Sequence, residues 1–263
     1  MGNFAIRRAA TSVLFSLTLW GGVSILPLQA QSLNAANPEV AQTLRELETA
    51  ANRYDLEAVM GFYGEVFNHS DGLDRQQLAE GLEALWSDYS GLQYDIEVEE
   101  WDSQGDTIVA QTLTRISGSR YEGTRPIRLE AEIQSRQYIN RASQQITRQD
   151  ILAERTLIFS GVNPPEVAIN LPLEVTPGET FDFDVIVQEP LQGELLLGGA
   201  MEIPVSYQEA TAIEEIELEL LQAGGIFKRG TAPDQPNDQW LSAIVIREDG
   251  ITMLTQRLRI TAN

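Results

Sequence analysis

From Pro38 onward the apolar positions follow a helical period, with Val40, Leu44, Leu47 and Ala51 on one stripe that ends near Arg53. Asn37 stands where a helix cap is expected. Pro38 suits a first helical position, whose N–H would have no partner in any case. Asn52-Arg53-Tyr54-Asp55 breaks the stripe, and a second one follows with Leu56, Val59, Met60 and Tyr63. A short extended piece, Val66 to Asp71, leads into an Asp71-Gly72 turn. A third helix then opens at Asp74 and carries Leu78, Leu82, Leu85, Trp86 and Tyr89, until Ser90-Gly91 stops it. The second and third helices each begin behind an Asp, whose carboxylate can accept a first-turn N–H for about 1 kcal/mol.

At Leu92 the period changes to two. Leu92, Tyr94, Ile96 and Val98 alternate with Gln93, Asp95, Glu97 and Glu99, which predicts a strand with one buried and one wet face. Further strands are predicted over Thr107 to Ile116, Ile127 to Ile139 and Ile146 to Phe159, with a loose hairpin at Ser117 to Pro126. Gly161-Val162-Asn163-Pro164-Pro165 marks a boundary. Beyond it come strand candidates at Val167 to Leu171, Phe181 to Val187, Leu195 to Leu197, Trp240 to Arg247 and Ile251 to Ile260. Glu214 to Leu220 reads as strand or helix, its alternation favouring strand. Gly224 to Gly230 lacks the Ser or Thr of a phosphate loop and reads as a turn with Phe227 packed inward.

Over residues 38 to 160 the order is a helix, an Asp-capped helix ending in Phe62-Tyr63, a short strand into Asp71-Gly72, a helix ending in Leu85-Trp86, then four long strands. This order resembles the nuclear transport factor 2-like family, also called SnoaL-like. The resemblance implies an α+β fold: a cone of three helices on a curved antiparallel sheet around a pocket, in a family of isomerases, dehydratases, carriers and assembly modules. With the later strands, the expected architecture is a cone domain over 38–161 followed by an all-β sandwich of immunoglobulin-like type over 162–263.

Ahead of both, Arg7-Arg8, an almost uncharged run from Ala9 to Leu26 and the small-residue end Pro27-Leu28-Gln29-Ala30 predict an export signal over 1–30, followed by a polar leader over 31–37. The protein is therefore expected in the periplasm or outside the cell. The alternative is an uncleaved membrane anchor. The 263 residues hold 18 basic and 39 acidic side chains, a net charge of −21, so nucleic acid is not an expected partner. With no cysteine there are no disulfides, and with one histidine there is little zinc chemistry. No cofactor or metal is expected.

Strand parity places Thr112, Thr114, Ser135, Gln137 and Arg155 on the inner wall, with no carboxylate, provided that no bulge shifts the register. Enzymes of the resembled fold generally carry a carboxylate or histidine there, and here only His69 and Asp71 stand near. No catalytic residue is assigned, because Asp71 already serves the turn and His69 has no second acid–base partner. Tyr63, His69, Trp86, Gln137 and Arg155 are the candidate ligand-lining residues. Between Arg115 and Arg155 eight arginines face five acids, whereas 162–263 carries 5 basic and 17 acidic residues. This contrast predicts either docking of the arginine-bearing sheet on the acidic second part or on an acidic partner, or else cross-strand ion pairs within the sheet. The expected function is a non-enzymatic binding or assembly module with a protein partner. The alternatives are a carrier or enzyme for a small apolar ligand, and a membrane-anchored accessory protein.

Overall fold

In the computed structural model the residues described are 5–6, 38–189, 195–206, 214–221 and 224–262. Most of the predicted export signal, the leader and Asn37 lie outside them. Three helices are found among the described residues: α1 (Pro38–Asn52), α2 (Leu56–Gly61) and α3 (Arg75–Asp88). Helix α1 starts at Pro38 and buries Val40, Leu44, Leu47 and Ala51, as its stripe predicts. Asp55 Oδ1 accepts the Ala58 N–H at 3.0 Å to cap α2. At α3, Asp74 and Gln77 form a reciprocal capping box, which satisfies two otherwise orphaned donors.

The rest is strand. A two-residue ladder joins β1 (Ala5–Ile6) to β11 (Glu214–Glu215). The first part of the chain adds β2 (Tyr63–His69), β3 (Ser90–Gln104), β4 (Thr107–Glu122), β5 (Arg125–Asn140) and β6 (Ile146–Gly161). The hairpin expected to be loose is tight, with only Gly123 and Thr124 between β4 and β5 and Gly123 at φ +62°. Then come β7 (Val167–Asn170), β8 (Glu174–Val175), β9 (Thr180–Val187), β10 (Leu197–Pro204), β12 (Glu219–Leu220), β13 (Gly225–Thr231), β14 (Gln239–Arg247) and β15 (Gly250–Ile260). The Glu214 to Leu220 stretch is two short strand pieces and not one element. Gly225 to Thr231 is a strand rather than a turn, and Phe227 is 52% exposed instead of packed inward.

The expected three-helix cone followed by a separate sandwich does not hold: the molecule is mainly β. One ten-stranded sheet runs in the order β12-β10-β14-β15-β6-β5-β4-β3, with β2 also on β6 and β8 on β15. The last strands therefore extend the first sheet, through antiparallel pairing of β15 with β6 from Gly250↔Gly161 to Gln256↔Arg155. Strands β13, β9 and β7 form a separate three-stranded sheet. The period-two pattern names strands but not their neighbours, so it could not show that β6 has one partner from each part of the chain.

Two cores lie on opposite faces of the shared sheet. Residues from α1, α2, β2 to β5 and Ile146 of β6 make the first, with Ile158 of β6 packed against it. Phe181, Phe183, Val185 and Ile226 of the small sheet make the second with Ala243, Leu254 and Leu258, and Leu157 of β6 packs against that one. Adjacent residues of β6 thus serve different cores, as alternation requires.

Strand β3 ends the sheet on one side, and side chains of α1 and the following turn cover its backbone. Asn52 Nδ2 donates to the Tyr94 carbonyl at 2.8 Å and its Oδ1 accepts the Tyr94 N–H at 2.7 Å, so one carboxamide imitates a neighbouring strand. Glu48 Oε2 accepts the Ile96 N–H at 2.8 Å, and the Tyr54 hydroxyl accepts the Leu92 N–H. An open edge is a template for pairing with other chains. Replacing Asn52 with Leu should cost about 1–3 kcal/mol in urea unfolding through two unsatisfied groups, and should raise the self-associated fraction in light scattering. A variant as stable and as monodisperse as the parent would contradict this edge role.

Candidate functional site: a buried arginine between three carboxylates

The Asp71-Gly72 turn is fastened to β6 at a defect in the ladder. Gln134 pairs with Ala153 but Ser135 with Ile151, which leaves Leu152 as an extra residue, a β-bulge. At that point Ser70 N–H donates to the Gln149 carbonyl at 2.9 Å, and the Ser70 hydroxyl accepts the Ile151 N–H at 3.1 Å. The turn closes by a Gly72 N–H to His69 carbonyl bond of 3.0 Å, with Gly72 at φ +78°, a conformation that glycine adopts without steric cost.

The bulge reverses which face each later β6 residue occupies. Glu154, Thr156, Ile158 and Ser160 stand across from Ile133, Ala131, Leu129 and Ile127, on the helix-covered face. Arg155 instead pairs with Glu132, which itself pairs with Arg115, so it belongs to the opposite face. The parity expected from an unbroken strand is thereby corrected twice: the inner arginine leaves and a carboxylate takes its place. Arg155 Nε is buried without a hydrogen-bond partner, and its pKa is lowered by burial against the opposing charge of Glu132.

Glu154 meets an arginine from the other part of the chain. Arg257 of β15 is almost wholly buried, with its side chain 1% exposed. Its Nε donates to Glu154 Oε2 at 2.6 Å, and Nη1 and Nη2 grip Asp71 Oδ1 and Oδ2 at 3.1 and 2.6 Å, a bidentate pair. Asp238 Oδ2 accepts from Nη1 at 3.0 Å, while its Oδ1 accepts the Ile260 N–H at 3.0 Å. Trp240, across from Arg257 on β14, donates its indole N–H to Glu154 Oε2 at 2.9 Å. Burial alone would lower the pKa of Arg257, but Glu154 and Asp71 outweigh it and push the value up. For Asp71, burial raises the pKa and the charge and hydrogen bonds of Arg257 more than reverse it, so the net direction is down.

His69 borders this cluster. Its Nδ1 accepts the Asp71 N–H at 3.1 Å, which requires the neutral ring with the proton on Nε2. Asp71 Oδ2 lies 3.9 Å from Nδ1. Burial lowers the pKa of His69 and is the largest influence. Asp71, Glu154 and Asp150 oppose it, and Arg257 reinforces it.

The other candidate residues divide among separate groups. Tyr63 stacks edge-on to Phe67 at 5.1 Å, and Phe67 lies 6.2 Å from the His69 ring, so Tyr63 and His69 flank one aromatic row. Burial raises the Tyr63 pKa to about 12. Trp86 belongs elsewhere, donating to the Tyr94 hydroxyl at 2.8 Å and meeting Tyr54 at 5.3 Å. Gln137 is buried and donates to the Ser135 hydroxyl at 3.3 Å, and its Oε1 has no partner. It stands opposite Gln149, which pairs with His69. Among the described residues no three His, Cys, Asp or Glu side chains are arranged to hold a metal ion.

Part of the contrast in charge is met by ion pairs within the sheet. Arg115 pairs with Asp95, Glu97 and Glu132, Arg128 with Glu130, and Arg148 with Asp150. The arginine that bridges the two parts comes from the acidic C-terminal part, the reverse of the docking alternative. Arg257 gave no signal of its own within the strand candidate Ile251 to Ile260. The Asp71-Gly72 turn and the lone histidine were the only legible pieces.

Replacing Arg257 with Met should destabilise the chain by about 3–5 kcal/mol in urea unfolding, because Asp71 and Glu154 stay buried without a counter-charge. Adding Asp71→Asn and Glu154→Gln should recover most of that loss. A cost under about 1 kcal/mol for the single variant would contradict the role of the cluster. His69 has its folded pKa below the ordinary 6.5, so its contribution to stability is complete above that value and is lost as pH falls through it. Unfolding free energy should therefore drop between about pH 7 and 5 in the parent, and less so in His69→Asn, whose carboxamide keeps an acceptor for the Asp71 N–H but cannot take a proton. Parallel pH profiles would refute this.

Residues 162–261 match a family model described as "Domain of unknown function (DUF8623)". No curated protein matches the chain. Among solved structures it is similar to Bd1075 of Bdellovibrio bacteriovorus, at 15% identity and TM-score 0.35 over 43% of this chain and 38% of that one. It thus spans well under half the length of Bd1075. It is also similar to a putative SnoaL-like polyketide cyclase from Shewanella putrefaciens CN-32, at 15% identity and TM-score 0.34 over 51% of this chain and 92% of that one. A third is the Delta 5-3-ketosteroid isomerase from Mycobacterium sp., at 12% identity and TM-score 0.29 over 43% and 91%.

Proposed function

We propose that the chain is an exported, non-enzymatic binding or assembly module. The observation that carries this reading is the state of its only histidine and the acid beside it. Proton transfer needs a group free to exchange its proton with a substrate. Here Asp71 has both oxygens on Arg257, and His69 commits its Nδ1 lone pair to the backbone of the same turn. The export part of the proposal is supported by the charged start, apolar run and small-residue end of residues 1 to 30.

A carrier of a small apolar molecule is the second reading. Gln137 Oε1 and Thr156 Oγ1 favour it, since both are buried without a hydrogen-bond partner on the helix-covered face, where a ligand donor could satisfy them. The two readings separate in native mass spectrometry of protein from its own host. A polypeptide partner held in the complex is the expected result, and a small molecule retained in its place would overturn the first reading. The same spectrum gives the mass of the chain, which should correspond to a start near Gln31. A full-length mass would contradict signal removal.

A further inference from the structure

The Arg257 cluster sits at a fork in the large sheet. Strand β6 pairs with β2 as far as His69↔Gln149 and with β15 from Gln256↔Arg155 to Gly250↔Gly161, and the Leu152 bulge lies between the two ladders. At the fork it is the Arg257 side chain that reaches from β15 to Asp71, in the turn that ends β2. His69 stands on the turn side of that grip. Its ring supports the turn only while Nδ1 has a lone pair for the Asp71 N–H, and a proton on Nδ1 would set a donor against a donor. An acceptor for that proton is near, since Asp71 Oδ2 lies 3.9 Å from Nδ1. The turn also has room to move, because nothing stands within 4 Å of where a Cβ on Gly72 would be.

The surrounding charges permit an exchange of partners. Asp71, Glu154 and Asp238 set three negative charges against the one guanidinium, so Arg257 keeps Glu154 and Asp238 when Asp71 leaves it. An imidazolium at His69 pairs with the released Asp71 and brings the group closer to neutrality. Of the other charges around the ring, Asp150 of β6 is held by Arg148 at 2.7 Å. Arg75 of α3 donates to the Tyr63 and Met60 carbonyls, at the opposite end of β2. We propose that His69 is a proton-operated latch on this fork: when its ring takes a second proton, Asp71 exchanges Arg257 for the imidazolium, and the turn parts from β15 while the rest of the sheet stays paired. In the closed form burial, reinforced by Arg257, holds the His69 pKa below its ordinary value of 6.5. The open form admits water and leaves the ring beside a free Asp71, so it binds the proton more tightly and acid selects it. The latch is therefore shut above about pH 7 and opens as the pH falls toward about 5.

Because the chain has a single histidine, its titration can be read without ambiguity by NMR of the untagged full chain labelled in histidine nitrogen. At about pH 7.5 the signals should be those of the ring protonated on Nε2 alone, and both nitrogens should be protonated at about pH 5. Hydrogen exchange on the same protein, corrected for the intrinsic pH dependence of exchange, gives the second reading. The amides of 69–72 and 257–261 should exchange at least about tenfold faster at about pH 5 than at about pH 7.5, while those of 108–116 in β4 keep their protection. The midpoint of that rise should coincide with the midpoint of the ring, a comparison made in the parent chain alone. His69→Asn should abolish the rise, and Asp71→Asn should give fast exchange at 257–261 at both pH values. A ring that takes no second proton down to about pH 4, or one that takes it with no change at 257–261, overturns the latch. So does a rise that persists in His69→Asn, or an acceleration spread evenly over all segments, which is global unfolding.

Discussion

Three carboxylates and one guanidinium, nearly all removed from water, hold the two parts of this chain in register. Each charge alone would be costly to bury, by several kcal/mol even after relaxation. Together they are tolerable because Arg257 offers its donors in a fixed planar fork, and Asp71, Glu154 and Asp238 come from three separate places in the chain. Geometry of this kind rewards one arrangement and penalises near misses. A slip of one residue between β6 and β15 would carry Glu154 or Arg257 to the wrong face and leave ions unpaired, so the cluster selects the register as much as it adds stability.

The same strand explains why the architecture is not two domains side by side. Apolar residues on both faces of β6 let Ile158 meet the helices while Leu157 meets the small sheet. A strand buried on both faces needs cover on both, and the chain supplies helices at one end of the ten-stranded sheet and three strands at the other. The connection at Gly161 is equally tight: a side chain there would run into the Asp249 carbonyl, and one at Gly250 into the Asn163 carbonyl.

Local features were legible in the sequence and long-range ones were not. The caps at Asp55 and Asp74, the stripe of α1 and the long strands all follow from residue type and period, which act over a few positions. The bulge at Leu152 was hidden because Ile151, Ala153, Leu157 and Phe159 keep an apolar alternation interrupted only at Arg155, and the even-numbered Leu152 and Ile158 give only a slight hint of a second buried face. Phe227 misled for a related reason: between glycines it looked like an inward anchor of a turn, whereas the inward position belongs to Ile226 of a strand. Of the residues that make the buried cluster, Asp71 drew notice through its turn, and Glu154, Asp238 and Arg257 could not, since each is an ordinary charged residue until the strands pair.

The covering of the β3 edge by Glu48, Asn52 and Tyr54 has a consequence in time. All three residues precede β3 in the chain, so during synthesis they leave the ribosome before the backbone groups that they occupy. The strand emerges beside a helix already able to form, and its amides can be engaged before β4 exists to pair with the other side. Ribosome-bound chains are crowded on a shared message, where bare strands find one another readily. A guard encoded upstream protects the nascent sheet in the interval when it has only one finished margin.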